Sequence, residues 1–301
     1  MEYKNKEIRD DEIRIIGLNS VSAPKASEAG RGSRRGWLTS LVSLVIVADI
    51  GLACFFFWPK KGEPGDVEGV FEQSLGQSPA TVAASGRNLF GTPVTDTPYT
   101  EKIDTVINDV RLSLYGPQNA TPVLYVGNPE EQIHRGALAF QAADIRADNK
   151  EILGAFVLKG QPLAWGLSKK GYCAIIDGKV TVGVSENSPL FEEATEKDGY
   201  FFRQYPLVDN GILVENEPKN KTMRKALCDR EGEIFVAVSE TDESFHDFAQ
   251  ALVDLGVDNA IYLVGSHTSF GWAVRRDGTR ETFGSDDHRT SYKNESYIIW
   301  M

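Results

Sequence analysis

The stretch Asp258–Phe270, DNAIYLVGSHTSF, runs an apolar segment straight into Gly265, Ser266, His267, Thr268 and Ser269. Hydroxyls, an imidazole and a glycine that lets backbone approach closely can grip a ligand, move a proton on it, or simply close a loop. A Ser-His-Asp nucleophile drawn from Ser266 or Ser269 is disfavoured, because no nucleophile-elbow motif surrounds either serine. In FFRQYPLVDNG, Arg203 and Gln204 either line a cavity or cap a strand. Trp165 and Tyr205 offer faces for a sugar, although aromatics beside strands more often fill a core. His246 lies beside Phe245 and Phe248 and reads as a helix-face residue. His134 and His288 lack metal-ligand spacing to one another or to a cysteine, so neither a metal nor a cofactor is expected.

The elements that would position the turn are legible around it. EIFVAVS, Glu233–Ser239, is a buried-strand run rich in β-branched residues. SFHDFAQALVDLG then places Phe245, Phe248, Leu252 and Leu255 on one helical stripe. Ser244 with Asp247 resembles a capping box, and Gly256 suits the stop. NAIYLV supplies a second strand. Strand, helix and strand at this spacing make a βαβ unit, whose two strands run parallel. Ligands gather beyond the carboxyl ends of such strands, which is where Gly265–Ser269 lies. Upstream, VINDVRLSLY and PVLYVG read as strands, and GALAFQAADIRADN is ambiguous between helix and strand. ILGAFVLKGQPLAWG and GYCAIIDGKVTVGV read as hairpins turning at Lys159-Gly160-Gln161 and Asp177-Gly178.

The chain has 301 residues, 41% hydrophobic and 25% charged, enough for one sizeable domain with appendages. Residues 37–58, WLTSLVSLVIVADIGLACFFFW, are apolar almost throughout and carry a Trp at each end. At ~1.5 Å per residue they reach about 30 Å, the depth of a bilayer's hydrocarbon. Lys25, Arg31, Arg34 and Arg35 precede this span, so residues 1–36 are expected as a cytoplasmic tail. Residues 59–100 are rich in Gly, Pro, Ser and Thr and read as a stalk. Residues 101–301 are then a periplasmic or extracellular domain on a single-pass anchor. From Pro59 onward the chain holds 24 Lys and Arg against 36 Asp and Glu, a balance that argues against nucleic acid as a partner. Of three cysteines, Cys54 falls in the span. Cys173 and Cys228 either close one disulfide or pack as small apolar residues.

FHDFAQALVDLGVDNAIYLVGS, with AFVLKG, RQYPLVDNG and MRKALCD in the same order, resembles the phosphodiester glycosidase domain family over roughly Ile103 to Trp300. The resemblance implies an α+β domain with a mixed sheet, removing a sugar from a sugar phosphodiester in a surface cavity. It also implies a phosphate role for Arg224, which matches the family's arginine.

Two departures bear on that chemistry. The family's aspartate at the end of the late strand is Val264 here, and its asparagine further upstream is Ala142. Glycosyl transfer uses carboxylates on an oxocarbenium-like transition state, and arginine suits the departing phosphate. Asp144 and Arg146 stand where the family is apolar or glycine. One reading has these residues rebuild a catalytic set, with Asp144 as acid/base, Ser266 and His267 in the turn, His267 shuttling a proton, and Arg146, Arg203, Gln204, Arg224, Gly265 and Ser269 holding substrate or phosphate. The other has Asp144 and Arg146 form an ion pair and His267 a solvated turn residue. Two functions follow: a membrane-anchored hydrolase of a glycosyl phosphodiester or related glycoconjugate, or a degenerate carbohydrate- and phosphate-binding module serving envelope assembly.

Overall fold

A computed structural model describes residues 88–284 and 292–301. The cytoplasmic tail, the span expected at 37–58 and the stalk up to residue 87 lie outside the described residues, as does His288. Among the described residues no helix is long and apolar enough to cross a membrane.

Three antiparallel sheets make up the domain. The largest has the order β1 (Tyr99–Ile107), β2 (Val110–Gln118), β13 (Glu233–Ser239), β12 (Lys225–Arg230), β14 (Asn259–Leu263), β10 (Pro206–Asp209) and β11 (Ile212–Leu213). The second runs β16 (Arg280–Phe283), β15 (Gly271–Val274), β4 (Leu138–Gln141), β17 (Ser296–Trp300) and β3 (Pro122–Val126). The third runs β6 (Gln161–Trp165), β5 (Ala155–Leu158), β9 (Tyr200–Gln204), β7 (Gly171–Ile176) and β8 (Lys179–Val184). Among the described residues two α-helices accompany them, α1 (Leu190–Glu196) and α2 (Phe245–Asp254).

The expected α+β class stands, and the expected mixed sheet does not. Among the described residues every strand pairing is antiparallel. β13 and β14 do run parallel, as strands joined through a helix must, but β12 lies between them and pairs antiparallel with both. The preceding strand fills the gap that the crossover leaves, so two parallel strands never share a ladder.

Turn chemistry sets the hairpins. Lys159-Gly160 and Asp177-Gly178 take the positive φ values that a tight two-residue turn demands. VINDVRLSLY, read as strand, contains a turn at Asn108-Asp109, whose φ values are 50° and 64° and which separates β1 from β2. The ambiguous GALAFQAADIRADN forms β4 and then leaves regular structure.

Alternation along the strands builds two cores back to back. Tyr115, Phe140, Phe156, Phe202, Leu227 and Ile298 join the three sheets in one apolar cluster. On the other face of the large sheet, Leu112, Leu114, Cys228 and Phe235 meet Phe245, Phe248 and Leu252 of α2. That helix is capped as its sequence requires. Ser244 Oγ accepts from the Asp247 amide at 3.0 Å, and Gly256 follows the last turn at φ 86°. Cys173 and Cys228 are separate, buried thiols, and burial pushes both well above the ordinary range. Ahead of β1, Leu89 and Phe90 donate their amides to the Glu233 carboxylate at 2.7 and 3.1 Å, and Phe90 packs on Phe235.

Candidate functional site

The turn that ends β14 is held from below. Gly265 donates its amide to the Tyr262 hydroxyl at 3.0 Å, and Ser266 donates to the Met223 carbonyl at 3.0 Å. A Cβ on Gly265 would sit 2.1 Å from that hydroxyl oxygen, so only glycine fits there. Ser266 takes φ 76°. The Val264 amide donates to the Gln141 carbonyl, tying the strand end to the end of β4. The chain continues from β4 through Ala142 and Ala143 to Asp144.

Asp144 is thereby brought toward the turn, and it meets a lysine that drew no attention in the sequence. Its carboxylate accepts a hydrogen bond and ion pair from Lys169. The Lys169 side chain is 1% exposed, and that of Asp144 is 29% exposed. Gln204 Oε1 accepts a second bond from the same ammonium at 2.9 Å, and the Tyr205 ring lies 4.6 Å beneath it. Gln204 Nε2 in turn donates to the Ala142 carbonyl at 3.3 Å, locking the Asp144 segment to β9. Burial raises the Tyr262 phenol, the nearby Arg224 guanidinium opposes the rise, and the Asp144 carboxylate adds to it. Asp144, Lys169, Gln204, Tyr262 and Gly265 therefore form one neighbourhood.

Other expected members are committed elsewhere. Arg224 stacks on Phe245, its guanidinium carbon 4.0 Å from the ring centroid, and donates to the backbone carbonyls of Glu243 and Asn220. Arg203 is buried and donates to the carbonyls of Lys169, Ser185 and Glu186 at 3.0, 2.8 and 2.7 Å, while its Nε has no partner among the described residues. Both arginines brace backbone. Arg146 makes a bidentate pair with Asp148, both bonds 2.9 Å, while the ion pair of Asp144 is with Lys169. That contact holds the Asp148 carboxyl down at about 2. The His267 side chain is 60% exposed and its Nε2 lies 2.7 Å from Asp242 Oδ1. Trp165 is 67% exposed on the edge strand β6, whereas the Tyr205 ring packs on Phe245. His246 pairs with Glu215 on an exposed helix face, as expected for its position. A shallow depression of about 240 Å³ lies by that helix face, between Asn108, Asp109, Glu243 and His246, and includes no member of the Asp144 neighbourhood.

Beneath the turn lies a second lysine that the sequence reading passed over. Lys225 is 1% exposed, and its ammonium donates to Ser269 O at 2.9 Å and to Ser269 Oγ. The rings of Phe140 and Phe283 lie 5.7 and 6.0 Å away. No carboxylate among the described residues pairs with it, and burial pushes it down to about 7. Ser269 is thus turned inward and spent on this amine. Period-2 alternation in KALC, which sets Lys225 on the face of Leu227, is the signal that could have exposed it.

No protein-family model matches the chain, and no curated protein matches it. Solved structures are similar at low identity, two of them as follows. One is the zebrafish N-acetylglucosamine-1-phosphodiester alpha-N-acetylglucosaminidase catalytic domain, auto-inhibited by its pro-peptide, at 12% identity and TM-score 0.48, covering 67% of this chain and 82% of that one. The other is a hypothetical protein from Synechocystis at 14% identity and TM-score 0.49, covering 68% of this chain and 62% of that one. Neither likeness assigns a role to any residue.

Proposed function

We propose that the domain binds a glycosyl phosphodiester or a related glycoconjugate without hydrolysing it, and that residues 37–58 hold it on the outer side of a membrane. The observation that carries the reading is the state of Asp144. Glycosidases place two carboxyl groups about 5–9.5 Å apart across the scissile bond. Here Asp144 has an oxygen committed to Lys169, and no second carboxylate is bonded into that neighbourhood among the described residues. Val264 and Ala142 stand where the resemblance calls for acid and amide, and His267 is paired outward with Asp242. Binding groups remain: a lysine ammonium, a glutamine, a tyrosine and a glycine turn at a strand end. The segments resembling phosphodiester glycosidases supply the ligand class, and the basic flank before residue 37 supplies the orientation.

The test uses the full-length chain in membranes of the expressing cell. The protein stays in the pellet after alkaline carbonate. In detergent it binds N-acetylglucosamine-phospho-mannose by calorimetry and releases no free N-acetylglucosamine. Release of sugar would restore the hydrolase reading, and absence of binding would defeat both. Extraction by carbonate would remove the anchor.

A further inference from the structure

We infer that Lys169 is the anion-holding residue of the site, and that an external phosphate group takes its ammonium by displacing the Asp144 carboxylate. This rests on the reading of the site as one for phosphorylated glycans, and it assigns the phosphate to a different residue from the arginine that the sequence suggested.

Three observations carry it. First, the Lys169 ammonium is placed before any ligand arrives. Gln204 Oε1 at 2.9 Å, the Tyr205 ring at 4.6 Å and the Asp144 carboxylate fix its position. Lys169 takes φ 70°, in the left-handed region that also serves the turns at Lys159 and Asp177. Arg203 fixes the backbone at that position, donating to the Lys169 carbonyl at 3.0 Å and to the carbonyls of Ser185 and Glu186. A buried arginine is thus spent on presenting this lysine.

Second, the pair is asymmetric. Lys169 is sealed at 1% side-chain exposure, and Asp144 is its outward partner at 29%. The Asp144 segment is fixed by its main chain, whose carbonyl accepts from the Leu153 amide at 2.8 Å, so the carboxylate can rotate away while the backbone stays. A phosphodiester carries a single negative charge, as the carboxylate does. Exchange therefore leaves the ammonium with one anionic partner while the Asp144 carboxylate turns toward solvent, and the desolvation of the ammonium is already met.

Third, Arg224 cannot make the same exchange. Its guanidinium is held by the backbone carbonyls of Glu243 and Asn220, which have nowhere to swing, and lies against the rings of Phe245 and Tyr262.

The experiment measures inorganic phosphate binding by calorimetry, and thermal unfolding in phosphate against chloride at equal ionic strength, for the full-length chain. In Asp144→Asn the resident anion is gone, so phosphate binds about tenfold tighter than in the parent, a difference near 1.4 kcal/mol, and recovers the melting temperature that the substitution costs. Lys169→Met shows no phosphate response, and neither does the double variant D144N/K169M, which removes the pair without stranding a charge. Arg224→Lys binds phosphate as the parent does. Should Asp144→Asn fail to fold in chloride, its folding in phosphate supports the exchange, and its failure in both overturns it. Phosphate binding that survives in the double variant, or no gain in Asp144→Asn, also overturns it. Phosphate held at Lys169 with no affinity for the glycosyl phosphodiester would end the proposed function and leave this assignment standing. Phosphodiester binding that Lys169→Met leaves unchanged would do the reverse.

Discussion

Lys225 shows how much a single position can cost. A buried ammonium that, among the described residues, has Ser269 and two aromatic rings as partners is stabilised far less than in water, which is why it falls to about 7. Unfolded lysine titrates near 10.4. Between about pH 7 and pH 10.4 the unfolded chain therefore binds a proton that the folded chain does not, and stability rises with pH across that window. Below about pH 7 the penalty is present in full. Lys225→Met is expected to stabilise the protein by about 1–3 kcal/mol at pH 6, and to lose that advantage by pH 9. Urea unfolding of parent and variant at both pH values measures the difference, and an advantage independent of pH would contradict this account. Lys225 was readable in principle from its strand register. Lys169 was not, since Lys169-Lys170 before a strand looks like an ordinary solvated turn. Its burial depends on Asp144 and Gln204, which lie 25 and 35 residues away in the chain.

Local rules were most legible in elements whose signals lie within a dozen residues. α2 carries its apolar stripe, its cap and its glycine stop in contiguous sequence, and each is found in place. The same holds for the turns at Lys159-Gly160 and Asp177-Gly178. Asn108-Asp109 escaped because that pair lacks the glycine that usually marks such a turn, and the alternation on either side looks continuous. Strand adjacency is a different kind of fact. Nothing in the run from β13 through α2 to β14 reveals that β12 occupies the gap between the two strands, because insertion depends on the geometry of the crossover. The cap supplies a prediction on this scale. Ser244→Ala removes the acceptor of the Asp247 amide and leaves that donor at the helix start unpaired. The expected loss is about 1 kcal/mol, read as a lower urea midpoint with an unchanged slope. Because α2 covers one face of the core beneath Arg224 and Tyr262, Ser244→Asp is expected to restore the midpoint. A loss that Asp does not rescue would mean that Ser244 acts through packing instead.

On the scale of the whole molecule, the three sheets depend on one another through a shared core, and the last strand shows how. β17 is central in its sheet, pairing with β3 on one side and β4 on the other. Its residues alternate between clusters: Ile298 and Trp300 join the core common to all three sheets, and Tyr297 and Ile299 pack with Trp272 and Phe270. Met301 closes the ladder by exchanging two backbone bonds with Thr121, at 2.7 and 2.9 Å. β4 in turn leads directly to Asp144, and the Ala142 and Ala143 amides donate to the Ser296 carbonyl and hydroxyl at 2.8 and 3.0 Å. Removing residues 296–301 would therefore strip the edges of two strands, open two clusters and release the segment that carries Asp144. Burying a large apolar side chain contributes roughly 1.5–3 kcal/mol, so Tyr297, Ile298, Ile299 and Trp300 together supply about 6–12 kcal/mol. That is comparable to the whole margin of a typical domain, about 5–15 kcal/mol. A chain ending at Glu295 is expected to have no cooperative unfolding transition in urea, and Trp272, fully buried in the intact domain, should fluoresce at solvent-exposed wavelengths. Retention of a sharp transition would show that the sheets are independent, and the Asp144 neighbourhood would then owe its geometry to local contacts alone.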